Sequence, residues 1–146
     1  MIEQALTDLF NNNFCAYWRS HVAHVNIVGR NFVSDHKLLG KIYEDFQGQI
    51  DVIAELLRTV EEKMPNDLHM VHTMANISSE IDDMSDIDYL EAVYDDVETM
   101  IDTYKMLQED IGDNVEYNHI ANYAQDRVMT LQKFCWMLRS TIDGRD

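Results

Sequence analysis

The chain has 146 residues, enough for one domain with a core of its own. An apolar share of 46% argues against intrinsic disorder, while one proline and five glycines leave little room for the many turns of an all-β fold. Eleven Lys and Arg against 27 Asp and Glu give a net charge of −16 with no basic tail, a balance that repels phosphate backbones and favours cations.

No stretch approaches the uninterrupted apolar length of a membrane-spanning helix. The opening residues MIEQALTDLF carry an early acid and no basic n-region, so they do not read as a secretory signal. Cys15 and Cys135 are too few for a disulfide framework and suit reduced, packed thiols in a cytoplasmic protein.

From Glu3 to about Val28, apolar residues recur at three- and four-residue steps (Leu6, Leu9, Phe10, Phe14, Tyr17), which predicts a helix stopped near Gly29. Ser34 or Asp35 is the candidate cap of a second helix, whose stripe runs from Leu38 and Leu39 through Ile42, Phe46, Ile50 and Ile53 to Leu57 and Val60. Pro65 limits that helix to about Met64. The pattern then loosens, with a short helix expected in ANISSEIDDM (75–84) under Ser78 or Ser79. Ser85, with Asp88 three places on, caps a third helix through Leu90, Val97, Tyr104 and Leu107. IGDN breaks it, and a fourth helix is expected from about Val115 to Ile142. Short connections after the first and third helices and a long one after the second predict an all-α four-helix bundle. The long crossover between the second and third helices, with its short helix, gives ferritin-like connectivity across a single domain, 1–146.

Asp51 and Glu55 are one helical turn apart, so both project from one face of the second helix toward a common cation. His24 ends the first helix and His36 opens the second, and a tight antiparallel turn sets two such side chains next to each other. His36 and Asp51 are fifteen residues apart on one helix, roughly 22 Å at 1.5 Å per residue. Metal–ligand bonds are near 2 Å and paired metals stand about 4 Å apart. The pairs are therefore either unrelated, or completed by a second copy whose second helix runs antiparallel across a two-fold axis.

The run HVNIVGRNFVSDH (24–36), then Tyr43 and DVIAE (51–55), resembles the Dps proteins, the ferritin-like miniferritins named DNA-binding proteins from starved cells. Their pattern is a His followed by Trp-Asn-hydrophobic-x-Gly-x-x-Phe, a second His twelve places after the first, and Asp-x-x-Ala-Glu. FCWMLRS (134–140) resembles the end of their last helix. The resemblance implies a hollow dodecamer that oxidises ferrous iron, typically with hydrogen peroxide, at two-fold interfaces and stores it as ferric mineral. It makes His24 and His36 the ligands from one subunit and Asp51 and Glu55 those from its partner. Acidic counterparts of the family's iron-admitting pores fall among Asp110, Asp113 and Asp126.

Three positions depart from the pattern. Gly40 stands where an acid usually binds a second iron, Val25 replaces the Trp after the first His, and Leu56 replaces an Arg. The expectation that follows is one tighter and one weaker iron, slower oxidation, and a gain from Gly40→Asp. A cage that has lost efficient oxidation and serves as a structural or metal-sequestering protein is the alternative. DNA binding is not expected at this charge. His21 stands three places before His24 as an auxiliary ligand candidate. His69 and His72 read as exposed loop histidines, and Glu116-Tyr-Asn-His119 is a lone Glu-x-x-His where conventional di-iron bundles need two.

Overall fold

The computed structural model describes residues 1–145. Its elements are α1 (Ile2–Asn26), α2 (Phe32–Thr59), the short α3 (Leu68–Met74), α4 (Asp86–Ile111) and α5 (Asn118–Asp143), with a 3-10 turn at Val115–Tyr117 before the last helix. α1 packs along α2 and α4 along α5, α1 also packs on α4, and α3 lies against α1. The expected stripes face inward: Leu6, Leu9, Leu39, Ile42, Phe46, Ile53, Leu57, Leu90, Val97 and Leu131 are all buried in one core. Removing a side chain such as Leu90 from that core costs about 2–5 kcal/mol. No helix of the described residues is long and apolar enough to cross a membrane.

Ser85 caps α4 as expected, its hydroxyl accepting the Asp88 N–H at 3.2 Å. Other boundaries move, each for a local reason. Neither Ser34 nor Asp35 caps α2: the Ser34 hydroxyl donates to the Asn31 carbonyl, and buried Asp35 is taken by Arg145. α2 ends at Thr59 rather than near Met64. There Glu61 adopts a left-handed φ of 65°, with Glu61 N–H donating to Arg58 O and Glu62 N–H to Leu57 O. That is a Schellman closure, which satisfies the last carbonyls of the helix before Pro65 is reached.

The short crossover helix is also misplaced in the sequence reading. It lies at Leu68–Met74 and not within 75–84, because the Asp67 carboxylate accepts from His69 N and Met70 N and nucleates it. Residues after it are drawn across the bundle instead, where the Asn76 N–H donates to the buried Asn12 side chain at 2.7 Å and Ile77 enters the core. Val115 falls in the 3-10 turn, so the last helix begins three residues later than the pattern suggests.

Candidate metal centre at the α1–α2 turn

Five residues, 27–31, reverse the chain between α1 and α2. Gly29 has φ 142°, a conformation that a side chain rarely tolerates. The reversal sets His24 and His36 face to face, ring centroids 3.8 Å apart and 15° from parallel. Each ring donates Nδ1–H to the other's backbone: His24 Nδ1 to His36 O at 2.6 Å, and His36 Nδ1 to His24 O at 2.7 Å. A carbonyl oxygen only accepts, so Nδ1 must carry the proton in both rings and Nε2 the free lone pair. Backbone support of this kind orients an imidazole and raises its basicity as a ligand. Burial lowers the pKa of His24 from its ordinary 6.5, against the raising effect of the bond to His36. The charges of His36 and His21 lower it further, and Glu44 opposes them. The neutral, ligating form is thereby favoured.

Aromatic rings enclose the pair. Phe32 stacks on His36 at 4.9 Å, and Tyr43 lies 4.9 Å from His24. His21 stands apart from the stacked pair, its ring centroid 6.3 Å from that of His24. It stacks on Tyr43 at 3.9 Å, with its Nδ1 3.0 Å from the Tyr17 hydroxyl.

Gly40 proves to be more than a missing acid. A Cβ at that position would stand 3.0 Å from Cε1 and 3.2 Å from Nδ1 of His24, closer than ordinary contact. The glycine makes room for the His24 ring, and a side chain there would require that ring to shift by a few tenths of an ångström.

Asp51 and Glu55 are exposed on the outer side of α2, and that helix runs unbroken from the histidine end past both acids. Among the described residues, no group of three or more His, Cys, Asp or Glu is gathered closely enough to hold a metal. One copy of the chain thus presents an imidazole pair and a carboxylate pair, separated along one helix by roughly 22 Å. Imidazole and carboxylate donors of these types suit divalent first-row metals, iron among them.

The remaining candidates do not compete. Glu116 and His119 are exposed, in the 3-10 turn and at the start of α5. Asp110, Asp113, Asp126 and His69 are exposed as well, and His72 is hydrogen-bonded to Ser79. Burial pushes the Cys15 and Cys135 thiols up to about 11, which keeps them protonated and unreactive. Among the described residues, the buried charged side chains Asp35, Asp96 and Arg127 are each ion-paired. Arg19 Nε meets Asp96 at 2.7 Å, and Arg127 clasps both Asp45 oxygens at 3.0 and 2.6 Å while donating to the Tyr104 hydroxyl.

The family model for the ferritin-like domain matches residues 3–145. The chain belongs to the ferritin-like family. Its fold is that of the Dps proteins. The Dps protein of Vibrio cholerae O1, a member of a broad superfamily of ferritin-like diiron-carboxylate proteins, superposes with a TM-score of 0.90 at 22% identity, over 97% of this chain and 88% of that one. CAIP of Helicobacter cinaedi gives 0.88 at 27% identity over 97% and 99% of the two chains. A Dps protein of Bacillus brevis gives 0.89 at 22% over 97% and 94%. No curated protein sequence matches this ferritin-like chain significantly.

Proposed function

We propose that the protein is a Dps-type miniferritin, a closed dodecameric shell that takes up ferrous iron, oxidises it with hydrogen peroxide and stores the ferric product. Iron is the substrate. It binds between copies, held by His24 and His36 of one subunit and by the partner's Asp51 and the partner's Glu55. The observation that carries this reading is the reciprocal Nδ1 bonding of His24 and His36, which leaves two Nε2 lone pairs at one end of α2 with the carboxylates farther along it. Antiparallel pairing of two α2 helices about a two-fold axis supplies the imidazole pair of one copy with the carboxylate pair of the other. The imidazoles contribute neutral donors, and the carboxylates offset the charge of Fe²⁺. The surface around the site fits burial against a second copy, since Val25, Val28, Val33 and Val52 are large apolar side chains left 38–75% exposed.

Each peroxide accepts two electrons, one from each of two ferrous ions. Gly40 offers no carboxylate to the second iron, which favours as a second reading a shell that sequesters metal and oxidises it slowly. The buried free cysteines fit a reducing cytoplasm. The charge of −16 per copy opposes binding to duplex DNA.

Light scattering and anaerobic ferrous titration test the assembly and the site together. A closed oligomer is expected, with iron bound at each histidine pair and ferric absorbance rising on peroxide addition. His24→Ala and Asp51→Ala should each abolish tight binding, and a mixed assembly of the two variants should recover a fraction of the sites. A monomer that binds iron, or single variants that bind it normally, would overturn the reading.

A further inference from the structure

The histidine pair is one end of a longer line of rings. Behind His24 lies Tyr43 at 4.9 Å, and the His21 ring stacks on Tyr43 at 3.9 Å and only 8° from parallel. Tyr17 follows, 5.5 Å from His21 and 6.3 Å from Tyr43, with its hydroxyl 3.0 Å from His21 Nδ1. These contacts join residues of α1 and α2 into one line of neighbouring rings, stacked between His21 and Tyr43 and tilted elsewhere. Every gap is a short one for an electron. The two tyrosines differ in one respect that matters for oxidation. A phenol oxidised by one electron becomes strongly acidic, and the Tyr17 hydroxyl has an imidazole nitrogen in place to receive its proton.

Resting on the ferroxidase reading above, we propose that Tyr17 is a redox-active residue that supplies the second electron to peroxide when a site holds a single ferrous ion. Peroxide needs two electrons to be reduced without releasing a hydroxyl radical, and one ferrous ion gives only one. Tyr17 gives the other through the Tyr43 ring, and its proton passes to His21. The balance is Fe²⁺ + TyrOH + His + H₂O₂ → Fe³⁺ + TyrO• + HisH⁺ + 2 OH⁻. The O–O bond breaks, iron and tyrosine are each oxidised by one electron, and peroxide is reduced by two. Charge and atoms match on both sides. Tyr43 acts as a positioning residue that keeps the line of rings continuous, and the missing acid at Gly40 is what makes singly occupied sites common enough for the donor to matter.

The test uses the assembled, iron-free protein loaded anaerobically with one Fe²⁺ per histidine pair, mixed with one equivalent of hydrogen peroxide and freeze-quenched for electron paramagnetic resonance. A tyrosyl signal is expected, and it should narrow when the protein carries ring-deuterated tyrosine. Tyr17→Phe should lose the signal and release spin-trappable hydroxyl radical, while ferric iron still forms. Tyr43→Leu, which interrupts the line of rings, should lose it too. Iron oxidised without a tyrosyl signal, or a signal unchanged in Tyr17→Phe, would overturn the relay and leave ferroxidation standing. Absence of ferric iron in every variant, the unmodified protein included, would overturn both.

Discussion

The His24 imidazole occupies the space that a side chain at Gly40 would need, with Cε1 3.0 Å from the place a Cβ would take. His36 on one face, Tyr43 nearby and the Nδ1 bond to the His36 carbonyl all hold that ring where it is. A retreat of a few tenths of an ångström strains its rotamer and that hydrogen bond. Gly40→Ala should therefore weaken ferrous binding by roughly two- to tenfold, equivalent to the 0.5–1.5 kcal/mol of an off-rotamer side chain. Gly40→Asp should do no better, even though either change removes a helix-weakening glycine. Anaerobic titration of both variants checks this. Binding as tight as in the unmodified protein would mean that the ring yields freely.

Asp96 gives the fold a pH dependence of its own. Burial pushes its carboxyl up to about 6 from an ordinary 3.8, despite the Arg19 guanidinium at 2.7 Å. Between those two values the folded chain keeps a proton that the unfolded chain releases. The contribution of Asp96 to stability is thus most favourable below 3.8 and is lost as the pH rises through about 6. Across that window, Asp96→Asn should gain on the unmodified protein as the pH rises, by at most about 1.4 kcal/mol per pH unit. Denaturant midpoints of both proteins at several pH values measure the slope. A slope of opposite sign would show that the ion pair outweighs burial.

The Arg127–Asp45 clasp bridges α5 and α2 inside the bundle, with side chains only 6% and 19% exposed. Tyr123 extends the network by donating to Gln49 at 2.6 Å. Arg127→Leu strands a carboxylate that is still mostly shielded from water, and should cost about 3–5 kcal/mol. Adding Asp45→Leu to that variant should restore part of the loss, because it removes the uncompensated charge. Chemical denaturation of the two variants separates the outcomes, and equal instability in both would count against this account.

Arg145, which follows α5, ties the start of α2 to the start of α4. Its guanidinium donates to Asp35 and, at 2.9 Å, to Asp86, and Asp35 is 1% exposed and adjacent in sequence to His36. Arg145→Ala strands a carboxylate more deeply buried than Asp45 and should lower stability by about 3–5 kcal/mol. It should also loosen iron binding, because the first turn of α2, which carries His36 next to Asp35, loses its tie to α4. Calorimetric binding alongside a thermal melt tests both. Normal affinity in a destabilised variant would confine Arg145 to the fold.

Periodicity was enough to place the four long helices and their connectivity. Apolar residues at three- and four-residue steps must face one way on a helix, and Ser85 with Asp88 marks a start by chemistry confined to four positions. The separation of the histidines from the acids was equally legible, since helical rise converts fifteen positions into a distance that no side chain spans. The end of α2 was not, because the left-handed turn at Glu61 depends on backbone closure and uses no residue type that signals it. Nor was the role of Gly40, where a missing side chain reads as a lost ligand until the His24 ring is seen above it. The Arg145 brace joins positions 110 apart and the Arg127 clasp positions 82 apart. Such pairings arise only when packing desolvates one charge beside another, and nothing local in the chain records which acid each arginine will meet. Tyr17, His21 and His24 do recur at helical spacing on α1, but it is the antiparallel return of α2 that brings Tyr43 within 3.9–6.3 Å of all three rings.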